Sequence, residues 1–126
     1  PVNAWLLKMD VNGNVLSEWD EPDYVNNSGR GDQLSDLVLS EDGSTIVALG
    51  ARFDMPTDYM LSNLWAFDVL TGQELWNVNY GEETAGENFA TGIVNAYDGG
   101  LTFFGFTDNH RLRLIKTDSY GFFSNE

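Results

Sequence analysis

A short phrase occurs three times along this chain, and no other feature limits the fold as strongly. WLLKMDVNG at 5–13 comes back as LWAFDVLTG at 64–72 and, more loosely, as LRLIKTDSYG at 112–121. Each copy is an apolar run of strand length that ends on an aspartate and reaches a glycine within four residues. Asp10 and Asp68 lie 58 residues apart, Asp68 and Asp118 lie 50 apart, and Trp19 and Trp76 lie 57 apart. A second phrase recurs between them: LVLSEDGSTIVALG at 37–50 resembles GIVNAYDGGLTFFG at 92–105. The repeating unit is therefore a pair of hairpins, one turning on D-G and the other on D-x-x-G or D-x-x-T-G.

Helical patterning fails along the chain. Its 13 glycines are scattered, and no long segment keeps apolar residues three, four and seven apart. Strand-length runs recur instead at 4–10, 14–19, 33–40, 44–50, 63–69, 73–80, 88–97, 100–106 and 110–118, with GFFSNE trailing after them. Four short strands in a unit of roughly fifty residues is the pattern of a β-propeller blade. The expected fold is all-β, a propeller segment of about two to two and a half four-stranded antiparallel blades. Residues 1–20 supply the last two strands of one blade and 21–80 a complete blade. Residues 81–126 supply a nearly complete one with a weak final strand, and all belong to one partial propeller domain. Two blades and a fraction cannot close a ring, since propellers have about four to eight. The chain is read as a piece of a larger propeller or as a unit that assembles with its own copies. The opening PVNAW, without an initiator Met, agrees with a processed or excised piece. Strands 4–10 and 110–118 are expected never to pair with each other within one chain.

The recurring aspartates have a structural purpose. Asp68 can accept hydrogen bonds from the amides ahead of it, Thr71 can assist, and Gly72 tolerates the positive φ of a tight corner. Asp10 with Gly13, and Asp118 with Gly121, repeat that arrangement, and Asn12-Gly13 is by itself a strong two-residue hairpin signal. Trp65 and Trp76 fall on the strands either side of the middle turn, where large flat side chains can wedge between blades. Trp76, and to a lesser extent Trp19, is expected to be buried there.

The run Ala66-x-Asp68-x-x-Thr71-Gly72-x-x-x-Trp76 resembles the tryptophan-docking repeat of PQQ-like propellers, which include quinoprotein dehydrogenases and non-enzymatic outer-membrane assembly lipoproteins. WLLKMDVNGN, DGGLTFFGFT and LIKTDSYG are similar to the repeats of secreted bacterial propellers, where W-L-x-K-x-D-x-x-G-N alternates with a D-G-G hairpin. Together the resemblances cover nearly the whole chain. They imply an extracellular, cell-surface or periplasmic bacterial protein. The first and third copies lack Thr before Gly, which departs from the PQQ pattern.

Charge and composition narrow the function classes. Hydrophobic content of 42% and aromatic content of 13% exclude a disordered tail. The formal charge of −14 repels phosphate backbones and anionic membranes, so nucleic acid is not an expected partner. There is no cysteine, hence no disulfide or thiolate site, and no apolar run of membrane-spanning length. The one histidine, His110, rules out a His-rich metal cluster, and no G-x-S-x-G elbow is present. Asp10-Val11-Asn12-Gly13-Asn14 spaces its oxygens as a calcium loop begins, but Val15 stands where such a loop needs glycine. It is read as a turn. The acidic pairs Asp20 with Asp23 and Glu82 with Glu83 fall in loops, with no spacing that singles them out for glycoside chemistry.

Two segments are longer than a blade needs, 20–33 and 51–62. The first holds an R-G-D tripeptide at 30–32, read as a Gly-rich turn. Tyr24, Arg30, Arg52, Met55 and Tyr59 in these segments are residue types enriched at interfaces and are the candidates for contact with a protein or glycan partner. No catalytic, cofactor-binding or metal residue is assigned and no cofactor is expected. The expected function is a non-catalytic scaffold or binding module. The alternatives are part of a PQQ-dependent dehydrogenase ring, for which no recognisable cofactor set is offered, and a self-assembling architectural repeat.

Overall fold

Residues 63–67 are buried one after another. A strand shows alternate residues to opposite sides, so such a run requires a sheet covered on both faces. The computed structural model describes residues 4–20, 32–54, 59–80, 88–107 and 111–123, and it shows how that cover is made. The described residues form β1 (Trp5–Met9), β2 (Val15–Asp20), β3 (Gln33–Leu39), β4 (Thr45–Asp54), β5 (Tyr59–Asp68), β6 (Glu74–Asn79), β7 (Asn88–Asn95), β8 (Leu101–Thr107) and β9 (Leu112–Thr117). They contain no helix. Pairing follows chain order in three antiparallel sheets, β1-β2, β3-β4-β5-β6 and β7-β8-β9. The expectation of an all-β chain holds. β1 pairs only with β2 and β9 only with β8, so the first and last strands do not meet in a ladder.

The four-stranded sheet lies between the other two. Trp65 and Phe67, with Ala48 of β4, face β1-β2, where Leu6 and Trp19 pack on them. Leu64 and Ala66, with Val47 and Leu49, face the other way onto Ile93, Leu101, Phe103 and Ile115 of the third sheet. Edge-to-face rings bridge both gaps: Trp19 to Phe67 at 4.7 Å and Tyr80 to Phe103 at 4.8 Å. We call the side of each sheet that meets the next one in chain order its forward face, and the opposite side its rear face.

The first strands of consecutive sheets are joined by side chains rather than by a ladder. Ser35 Oγ donates to the Ala90 carbonyl at 3.0 Å, and the Ile93 amide donates to Asp36 Oδ2 at 3.0 Å. Asn95 Nδ2 donates to the Leu39 carbonyl at 2.7 Å. Both first strands carry a bulge at the matching place, between Leu34 and Asp36 and between Ala90 and Gly92. Gly50 and Gly105 stand opposite these bulges. A Cβ at either would lie 1.8 Å from a backbone carbonyl oxygen, of Gln33 or Phe89, so the close approach admits only glycine.

Three expectations need correction. Residues 51–62 are not simply a loop, because pairing runs on through Ala51–Ser62 to Asp54–Tyr59, with Ala51, Met60 and Leu61 buried. The longer strands satisfy backbone groups that an insertion would leave open. Trp19 and Trp76 are half-buried rather than enclosed. The first turn is not a two-residue turn on Asn12-Gly13. The Gly13 amide donates to the Asp10 carbonyl and the Asp10 amide to the Asn14 carbonyl, a three-residue loop closed by Gly13 at φ 87.

Candidate functional site

The aspartate-anchored turns gather at one end of the stack. Strand alternation sends the β1-β2, β3-β4, β5-β6 and β7-β8 turns to that end, and hydrogen bonds tie neighbours together. The Val69 amide donates to the Ser44 carbonyl at 3.0 Å, and Lys8 Nζ reaches from β1 to the Val69 carbonyl.

Each turn is organised by a carboxylate. Asp10 Oδ1 accepts from the Asn12 and Asn14 amides, and Oδ2 accepts from Asn14 Nδ2, each at 2.9 Å. Asp68 Oδ1 accepts from the Leu70 and Thr71 amides at 2.9 Å and from the Thr71 hydroxyl at 3.2 Å. Asp118 Oδ1 accepts from the Tyr120 amide at 2.9 Å and the Phe122 amide at 3.0 Å. Gly72 closes the middle turn at φ 72 and Gly121 the last at φ 83. Donors aimed at a carboxylate favour its charged form. The Asn14 side chain accordingly holds Asp10 below the usual carboxylate range, and the Thr71 amide does the same for Asp68. Both carboxylate oxygens of Asp10 are thus taken up by donors within the turn, in keeping with reading 10–14 as a turn. Among the described residues no group of three His, Cys, Asp or Glu is placed to hold a metal ion.

Between the middle and third sheets this end opens into a cleft of about 850 Å³. Trp76 forms part of its wall, with Tyr97 and Tyr120 at its mouth and Ser40, Asp42 and Asn95 among the polar groups. Both tyrosines are exposed turn residues, unlike the enclosed strand aromatics Trp65, Phe67 and Phe103. Below the cleft Tyr80 is buried, and its hydroxyl donates to the Gly121 carbonyl, locking the last turn onto the middle sheet. Burial pushes the Tyr80 hydroxyl well up, so it remains a donor at neutral pH. Asp42 accepts from the Ser44 hydroxyl and the Ser40 hydroxyl at 2.7 Å and from the Ser44 amide at 2.9 Å. The Ser44 hydroxyl contributes most to holding its carboxyl down at about 2. A carboxylate so acidic is a poor proton donor and a weak base near neutral pH. Asp42 stands on the rim as a charged acceptor held by Ser40 and Ser44.

The residues singled out from the sequence divide into three groups. Asp10, Gly13, Asp68, Thr71, Gly72, Asp118 and Gly121 form the turn end just described. Trp65 is fully enclosed between the first two sheets, 6.4 Å from the Trp19 ring, while Trp76 borders the cleft. Of the proposed contact residues, Arg52 is half-buried and donates through Nη1 to Asn77 Oδ1 at 3.2 Å, and Tyr59 is exposed at the start of β5. Tyr24, Arg30 and Met55 lie outside the described residues, as do both acidic partners Asp23 and Glu82, the neighbouring Glu83, and His110. Sequence reasoning passed over Tyr97 and Tyr120. The signal was available, since an aromatic residue inside YDGG or DSYG has no strand partner to pack on. No protein-family model, no curated protein and no solved structure matches the chain.

Proposed function

We propose that the chain is a segment of a β-propeller, working as a non-catalytic scaffold or binding module of a secreted or cell-surface bacterial protein. One observation carries the reading: consecutive sheets stack forward face to rear face through register-equivalent residues. Counted from the turn aspartates, Leu6 and Leu64 occupy the same position and both face forward, while Trp65 and Ile115 occupy the next position and both face rearward. A stack that repeats in this way is how propeller blades succeed one another. The turn-end cleft supplies the binding side of the proposal. Its aromatic mouth and hydroxyl, amide and carboxylate rim suit a glycan or a polar protein loop. The Asp42 carboxylate is taken up by Ser40 and Ser44 within its turn, which argues against its use in catalysis.

The test sets the module against the quinoprotein alternative. Pyrroloquinoline quinone and Ca²⁺ are added to the chain, and dye reduction is followed with alcohols and sugars as donors. The scaffold reading expects no reduction beyond that of cofactor alone. Turnover that depends on the protein overturns it.

A further inference from the structure

We infer that the forward face of the β7-β8-β9 sheet docks a second copy of this chain, which presents the rear face of its β1-β2 sheet head to tail. The inference rests on the stacked-repeat reading above and names the partner that reading leaves open. In the middle sheet the forward positions are covered: Val47, Leu49 and Leu64 lie in the core against the third sheet. On the third sheet Thr102 matches Val47, while the positions around it are apolar and uncovered among the described residues. Leu114, the equivalent of Leu64, is 72% exposed, its ladder partner Phe104 is 51% exposed, and Val94 on β7 is 58% exposed. Leu112, two residues along the same face, is 92% exposed. Neighbouring exposed apolar side chains on one sheet face mark an interaction surface, unlike scattered single ones.

The other end of the stack offers the matching half. On β1 the alternation that turns Leu6 and Lys8 forward turns Trp5, Leu7 and Met9 rearward, with Val15 opposite Met9. Trp5 and Met9 are each 54% exposed and Val15 57%. Leu7 and Met9 hold the positions of Trp65 and Phe67, the two side chains that receive a forward face inside the chain. Each copy thus carries a complete forward half and, on β1, the part of the receiving half that β5 supplies inside the chain. Lys116 supplies a further match. It holds the position of Lys8, whose ammonium reaches the Val69 carbonyl of the next sheet. The equivalent carbonyl on a second copy is that of Val11. The present partner of Lys116, Asp98, forms an exposed ion pair that costs little to exchange. The two halves differ, so the contact is heterologous and can extend from copy to copy. Because each copy carries a formal charge of −14, association should strengthen as salt shortens the reach of repulsion from about 10 Å at 0.1 M to about 3 Å at 1 M.

Sedimentation velocity on the 126-residue chain tests this. The wild-type chain should form oligomers that grow with protein concentration and with salt. Leu114→Glu and Met9→Glu, each placing a charge on an already exposed position, should separately be monomeric. Mixed, they should form a one-to-one pair and nothing larger, since each keeps the half the other lacks. A wild-type chain that stays monomeric at every concentration and salt overturns the inference, as does a mixture that forms no pair. Slow exchange of the Trp65 indole N–H in such a monomer would leave the stacked-sheet reading standing while removing the docking. Rapid exchange there would remove both.

Discussion

Replacing Trp65 by alanine should cost more than any other single truncation in the chain. A buried tryptophan removes roughly 150–250 Å² from water, and at about 25 cal/mol per Å² this gives about 4–6 kcal/mol as an upper bound. Large-to-alanine changes in cores cost about 3–5 kcal/mol. Trp65 is fully enclosed, and its neighbours Trp19 and Phe67 are held by strands from two different sheets, so collapse into the cavity is restricted. We expect the upper half of that range, a large share of a domain stability of about 5–15 kcal/mol. The indole adds a contrast: Trp65 Nε1 is buried without an acceptor. Trp65→Phe removes that unpaired donor, recovering about 1–3 kcal/mol against the lost volume, and should stay within about 2 kcal/mol of wild type. Urea denaturation followed by far-UV circular dichroism measures both. An alanine variant within about 1 kcal/mol of wild type, or a phenylalanine variant as damaged as alanine, refutes the reasoning.

Gly72→Val should destabilise well beyond an ordinary surface change, by about 1–2 kcal/mol for the left-handed backbone alone. A Cβ there would also lie 2.8 Å from Ser17 Oγ, so thermal melting should drop while Gly72→Asn recovers part of the loss. Tyr80→Phe leaves the Gly121 carbonyl without its donor and should cost about 0.5–1.5 kcal/mol, read by urea denaturation together with loosened amide exchange at 118–122. Acid should act through the turns. The folded-state carboxyls of Asp10, Asp42 and Asp68 are depressed, so their contribution is complete above the ordinary carboxylate range and is lost as pH falls through the folded value. For Asp42 that window runs from 3.8 down to about 2, and Asp42→Asn should flatten the stability-against-pH curve within it.

Much of the frame can be read from the residues because strand and turn chemistry is local. The unbroken apolar run LWAF gives a strand with two covered faces, and an aspartate followed by a glycine gives a corner whatever the remainder of the chain does. What resists such reading depends on distant parts of the fold. Gly50 and Gly105 look like ordinary weak points in strands until the bulged first strand is seen to bring a carbonyl against each. The paired stretch from Ala51 to Ser62 looks like an insertion because Pro56 and the polar residues near it resemble a loop. Half-burial of Trp76 reflects the cleft beside it, which is lined by turn residues from two different sheets. Tyr97 and Tyr120 stand out in the sequence as aromatics inside turns, but that they share one cleft appears only when those turns are found together.

The most direct measurement is a nuclear Overhauser map of isotope-labelled chain, taken dilute and at low salt to favour single copies. A stack of three repeating sheets predicts contacts from Trp19 to Phe67 and from Tyr80 to Phe103, with the Ile93 amide close to the Asp36 side chain. It predicts no cross-strand Hα contacts between Trp5–Met9 and Leu112–Thr117. Strong Hα contacts between those two strands within one chain would make the molecule a closed barrel or sandwich and contradict the stack.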